Sequence, residues 1–287
     1  MEGSTQLNVP EPLRRSAHRT EEGWTESARR SLALLCQVRG VPDLGSTSVL
    51  DVGCGTKLVK VLVEENRPIG RYVGVDVSRE VIGLLCASVA DPRFEFHYLD
   101  VRNELYNPKG TPLTEYGSLP IGDDRFDLIC LFSVFTHLAP DDFSAMLRVL
   151  RTHAGPGCRL LFSLYINTAT TAYDAYDAIR GRESVERTER EMKRRLEAGD
   201  PDLARRIAEY DAEHPRSRET QTSAAVPDFL DVLPEKPLLI AAYSEPFARS
   251  LVEQSGWHVL SLNPPEGYIQ HYFVCEPSQV EQHVSST

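Results

Sequence analysis

Apolar residues recur along this chain in two alternating periods. Residues 24–38 place Ala28, Leu32, Leu35 and Cys36 at helical spacing until Gly40 and Pro42 end the run. Residues 48–52 are a short apolar segment that stops at Gly53-Cys54-Gly55, the pattern of a buried strand entering a glycine turn. The alternation then repeats. Residues 57–65 read as a helix, 72–77 as a strand, and 79–90 as a helix that Ser78 can cap. Further strands are predicted at 94–99, 126–132 and 159–165, with a helix at 141–152, a long loop-like connection at 103–124 and a Gly155-Pro156-Gly157 turn. The last two strands fall near 258–262 and 268–275. Strands alternating with helices predict an α/β fold, a Rossmann-like seven-stranded mostly parallel sheet with helices on both faces.

One stretch breaks the rhythm. Residues 167–238 are expected to be a helical insertion after strand five, with charged helices at 182–198 and 202–212. Their apolar stripes, Val185, Met192 and Leu196 on the first and Leu203, Ile207 and Tyr210 on the second, are narrow and must be covered. A lid over the site and a homodimer contact both satisfy that need. The domain plan is therefore a flexible arm at 1–21, a cofactor-binding core at 22–166, the insertion at 167–238, and the end of the core with a tail at 239–287.

Composition narrows the partners. The 287 residues are 41% hydrophobic and 25% charged, ordinary for a globular protein. No apolar run approaches the roughly 18 residues of a membrane span, and residues 1–20 lack the apolar core of a signal peptide, so a cytoplasmic setting is expected. A formal charge of -11 argues against a nucleic-acid partner. The six cysteines form no CxxC pair and read as buried thiols. The acid pairs Asp123-Asp124 and Asp141-Asp142 suit solvent and a helix start better than a metal, and no metal is expected.

The candidate chemistry begins with Val49-Leu50-Asp51-Val52-Gly53-Cys54-Gly55, followed 21 residues after Gly55 by Asp76 in Gly74-Val75-Asp76-Val77-Ser78. Small residues after a buried strand let backbone lie against a ligand, and an acid at the end of the next strand can accept both hydrogen bonds of a ribose diol. Together they specify an adenosine-containing cofactor. A dinucleotide fingerprint needs a third glycine where this chain has Leu58. Asp51 would also repel a pyrophosphate, whereas it suits a cofactor whose amino-acid end carries an ammonium.

The chain resembles the class I S-adenosylmethionine-dependent methyltransferases through VLDVGCG at 49–55, GVDVS at 74–78, the acid of HYLDV at 97–101 and FDLICLFSVFTHL at 126–138. Bacterial small-molecule members with a similar SVFTHL stretch are the most alike. The resemblance implies S-adenosylmethionine as cofactor, with Asp51, Gly53, Cys54 and Gly55 lining its methionine part and Asp76 on the ribose hydroxyls. Asp100 would accept from the adenine amino group, Val77 and Val101 would pack its faces, and Phe132 and Ser133 would border the sulfonium. Arg29, on the leading helix, lies where related proteins often carry a residue near the methionine carboxylate. At Lys57 the family usually has another glycine, so the lysine either narrows the cofactor site or points outward.

Methyl transfer from a sulfonium is an in-line displacement with a neutral leaving group, so alignment and proton removal are what a protein must supply. His137 is the candidate general base, or else it packs against the cofactor. No Asn-Pro-Pro-Tyr or Asp-Pro-Pro-Tyr follows strand four, which disfavours amino-group acceptors of planar bases. The expected acceptor is an oxygen on a small molecule: a sugar, glycolipid or natural product. A non-catalytic adenosine-binding regulatory protein and an NAD-binding oxidoreductase are the alternatives.

Overall fold

A computed structural model of the chain describes residues 6–14, 20–172, 174–176, 178–179, 225–233, 236–263 and 270–279. Helix α1 (Glu21–Arg39) begins earlier than its apolar spacing indicates, because Thr20 Oγ1 accepts the Gly23 amide at 3.1 Å and caps it. There follow β1 (Leu44–Val52), α2 (Lys57–Glu64), β2 (Ile69–Asp76), α3 (Arg79–Ser88), β3 (Phe94–Tyr98), β4 (Phe126–Leu131), α4 (Pro140–Thr152) and β5 (Ala154–Ile166). Beyond them lie β6 (Phe229–Asp231), β7 (Ala241–Tyr243), α5 (Glu245–Gln254), β8 (Trp257–Asn263) and β9 (His271–Pro277).

The sheet runs β3-β2-β1-β4-β5-β7-β6, and β9 lies antiparallel to β5 with β8 paired to β9. Pairings among β1 to β5 are all parallel. The seven expected strands are therefore present in a mostly parallel sheet, and β6 and β7 add two three-residue strands within or just after the stretch read as a helical insertion. Segments that short show no period in sequence. β7 pairs with the very end of β5, Tyr165 beside Ala242 and Ile166 beside Tyr243. β5 itself starts before the Gly155-Pro156-Gly157 segment read as a turn, because Ala154 already pairs with Phe126 of β4. The helices expected at 182–198 and 202–212 lie outside the described residues.

Both faces of the sheet are covered, which is why its strands read as continuous apolar runs. On one face Leu50, Val52, Val73, Val75, Ile129 and Leu131 pack with Phe143 and Leu147 of α4 and Val252 of α5. On the other, Val49, Tyr72, Leu128, Cys130 and Leu161 pack with Trp24 and Leu35 of α1, Leu62 of α2 and Leu85 of α3. Strand order reverses between β1 and β4, and in open α/β sheets the crevice outside the carboxyl ends at such a reversal is where ligands bind.

The arm expected to be flexible is docked over residues 6–14. Leu7 and Val9 are buried in the core beside α1 and α2, and their burial offsets the cost of ordering the chain. Lys60, buried on α2, fixes them. Its Nζ donates to the Leu7 carbonyl at 3.1 Å and to Glu64 Oε1 at 2.6 Å, while the Leu7 amide donates to the same Glu64 oxygen at 2.8 Å. Lys60→Met removes the shared cation, so the Leu7 carbonyl loses its Lys60 donor and Glu64 loses its ion pair while keeping the Leu7 amide, an expected loss of about 2 kcal/mol. Denaturant unfolding should show that loss, and amide exchange at residues 6–9 should accelerate; unchanged exchange there would show that another contact holds the segment.

Candidate active site

The buried carboxylates of the sheet, Asp51 and Asp76, stand at the carboxyl ends of β1 and β2. Asp51, one residue before the end of β1, is buried, and its register neighbours are Gly74 of β2 and Cys130 of β4. Gly74 leaves no room for a side chain: a Cβ there would meet Cys54 Sγ at 2.9 Å and the Tyr72 ring at 3.1 Å. Tyr72, two residues back on the same face, donates its hydroxyl to Asp51 Oδ2 at 2.6 Å. Burial pushes the Asp51 carboxyl up to about 6, against the hydrogen bonds from Tyr72 and Cys130 that favour the anion.

The turn that follows is bare. Gly53 and Gly55 have φ of 70° and 51°, and a Cβ on Gly53 would strike Val134 Cγ2 at 2.5 Å, whereas beyond Gly55 there is open space. The turn is tied to β2: the Gly53 and Cys54 amides donate to the Val75 carbonyl, and the Gly55 amide donates to Asp76 Oδ2 at 2.9 Å. Asp76 Oδ1 accepts the Ser78 amide at 2.8 Å, while Ser78 Oγ caps α3. Two backbone donors fix the carboxylate and leave it acceptor capacity for a diol.

Past β3, Asp100 is exposed and accepts at Oδ1 from the Tyr98 hydroxyl at 2.7 Å and from Asn107 Nδ2 at 3.1 Å. These two donors, with the Arg79 charge, hold its carboxyl below the usual range. Asn107 also donates to the Val101 carbonyl at 3.0 Å, so the 103–124 connection buttresses this end of β3. Val77 is half-buried, whereas Val101 keeps only 4% of its surface and presents less to a ligand. After β4, Phe132 meets Tyr272 edge-on, and Ser133 has φ 59° with its amide on Ser163 Oγ at 2.8 Å and its Oγ donating to Gln270 Oε1 at 3.0 Å. A non-glycine residue held in that region is a mark of a constrained site.

His137 closes the short turn Phe135–His137. Its Nδ1 lies 3.2 Å from the Leu238 carbonyl, which makes Nδ1 the protonated nitrogen of the neutral ring, and the ring stands edge-on to Tyr106 at 6.3 Å. Burial lowers its pKa, keeping the imidazole neutral at pH 7.

Arg29 is not part of this group. Its Nε donates to Glu65 Oε1 at 2.7 Å, just beyond the last turn of α2, whereas the glycine turn precedes the first. Ser27 and Arg29 are two residues apart, about 200° around the helix, so when Ser27 faces inward Arg29 faces solvent. Lys57, at the first position of α2, follows the glycine turn. It points inward, with Nζ 3.0 Å from the buried Ser27 Oγ, and burial brings its pKa down to about 8 against the attraction of Asp51. Tyr72, Cys130 and Ser163 carry no site signal in the sequence; only the strand register brings them to the site.

A bare turn, a ribose acceptor and an anion and a cation at one strand end fit a nucleoside with a zwitterionic tail. A family model described as a methyltransferase domain matches residues 17–217. The chain belongs to this family and is a class I S-adenosylmethionine-dependent methyltransferase. Among similar solved structures is the PH0226 protein of Pyrococcus horikoshii OT3, at 12% identity and TM-score 0.51, covering 94% of this chain and 100% of that one. The magnesium protoporphyrin IX methyltransferase of Synechocystis PCC 6803, solved with bound S-adenosylhomocysteine, is 14% identical at TM-score 0.45, with 93% and 92% covered. The 1,6-didemethyltoxoflavin-N1-methyltransferase of Burkholderia thailandensis, also with S-adenosylhomocysteine, is 15% identical at TM-score 0.46, with 89% and 80% covered. Among the described residues no helix is long and apolar enough to cross a membrane.

The raised Asp51 pKa has a measurable sign. The folded state holds this proton more tightly than the unfolded chain, so the contribution of Asp51 to stability falls as pH rises from about 4 to about 6 and is constant above that. Asp51→Asn removes this dependence. The stability of the variant relative to the parent should therefore rise across that window, by about 3 kcal/mol, in unfolding measured at each pH. A difference that does not change with pH would show that Asp51 is not desolvated.

Proposed function

We propose that the enzyme methylates an oxygen of a small molecule such as a sugar, a glycolipid or a natural product, with His137 as general base. The observation that carries this reading is the Leu238 carbonyl against His137 Nδ1, which assigns the tautomer and leaves Nε2 unprotonated to accept a proton. When bound, S-adenosylmethionine supplies an electrophilic methyl carbon with a neutral leaving group. The residues of the chain then have two tasks. The turn 53–55 and Asp76 hold the nucleoside end, and Ser133, fixed by Ser163 and Gln270, shapes the exit from β4 toward the acceptor. The Tyr106 ring, 42% exposed and packed on His137, offers a surface to a sugar or aromatic acceptor. The SVFTHL stretch at 133–138 supports placing the chain with the bacterial small-molecule members of its class. A homodimer, or a lid formed by part of 167–238, fits the narrow stripes of that segment.

A panel of hydroxylated metabolites, assayed for S-adenosylhomocysteine release, tests the proposal. On an accepted substrate His137→Ala should lower kcat by about a hundredfold, with cofactor affinity unchanged, and the remaining rate should rise with pH as the acceptor ionises by itself. A variant with full kcat would assign His137 to packing alone, and exclusive turnover of amines would overturn the oxygen acceptor.

A further inference from the structure

Lys57 departs from the glycine expected at the start of α2, and its placement gives that departure a chemical use. A side chain at the first helical position leans back toward the helix amino terminus, here toward the turn 53–55. Its ammonium is steered to α1, where Ser27 Oγ lies 3.0 Å away, and it is half-buried. Asp51 is its attractive charge, yet the Asp51 carboxylate is already bonded by Tyr72, and the like charge of Arg30 opposes the ammonium. Among the described residues no carboxylate forms an ion pair with this ammonium to offset its desolvation. Burial lowers its pKa accordingly.

We propose that Lys57, aimed by Ser27 Oγ, binds the α-carboxylate of the cofactor's methionyl end while Asp51 takes the α-ammonium. The chain thus reads both charges of the amino-acid moiety with side chains flanking the turn, one of them at the position where the resemblance implies a glycine. Arg29 has no part in this, being engaged with Glu65 on the surface.

Titration calorimetry of the full chain with two ligands tests it: S-adenosylhomocysteine, and its decarboxylated analogue with hydrogen in place of the carboxylate. The parent should prefer S-adenosylhomocysteine by at least about tenfold, the strength of one charge-assisted hydrogen bond. Lys57→Met should weaken S-adenosylhomocysteine by a similar factor and leave the analogue within about twofold, erasing the preference. Lys57→Arg should keep most of it, and Ser27→Ala should lose part of it. The preference is a ratio on one protein sample, so a partly destabilised variant shifts both affinities and still reports it; if Lys57→Met does not fold, Lys57→Gly, the residue usual in the family, carries the same comparison. Equal weakening of both ligands, or a preference that survives loss of the lysine, would overturn the assignment.

Discussion

A parallel sheet covered on both faces can take polar side chains only where its strands end, because an unpaired polar group between two helical layers would be desolvated without compensation. This constraint organises the molecule. Along β1, β2 and β4 the polar residues Ser46 to Ser48, Arg71 and Asp127 lie toward the amino ends, the middles are apolar, and at the rim of carboxyl ends of β1 and β2 stand Asp51 and Asp76. The reversal of strand order between β1 and β4 opens that rim, so groups forced to the edge by the core are also the groups that face a ligand. Core and site are consequences of the same packing.

Within the rim, each carboxylate is fixed before any ligand arrives. Asp76 ties the glycine turn to α3 through two backbone amides, and Tyr72 orients Asp51 from a position that the missing side chain of Gly74 makes reachable. Such preorganisation lowers the cost of ordering on binding. On the proposed reading, Asp76 and Asp100 serve the nucleoside and Asp51 and Lys57 the charged tail.

Much of this was legible in the sequence because the same physics writes the pattern. Gly53, Gly55 and Asp76 declare themselves by spacing, and the strands by apolar runs ended with an acid or glycine. What was hidden depends on contacts distant in the chain. Leu7 and Val9 sit in a polar arm and look mobile until Lys60, on another helix, binds their backbone. Tyr72 reads as one more core aromatic until register places it beside Asp51. The spacing of Arg29 and Lys57 does not say which way each side chain points; the fold turns Arg29 to Glu65 and Lys57 to Ser27. β6 and β7 are too short to carry a period, and their place is set by the end of β5.

The central claim is that the carboxyl rim recognises an adenosine bearing a charged amino-acid tail. Competitive titration of the unmodified enzyme with S-adenosylhomocysteine, methylthioadenosine and NAD tests it most directly. Methylthioadenosine shares the nucleoside and lacks the tail, and NAD shares the adenosine but presents a pyrophosphate to Asp51. Saturable binding of S-adenosylhomocysteine, at least about tenfold weaker binding of methylthioadenosine, and no displacement by NAD are expected. Equal affinity for the first two, or displacement by NAD at comparable concentration, would contradict it.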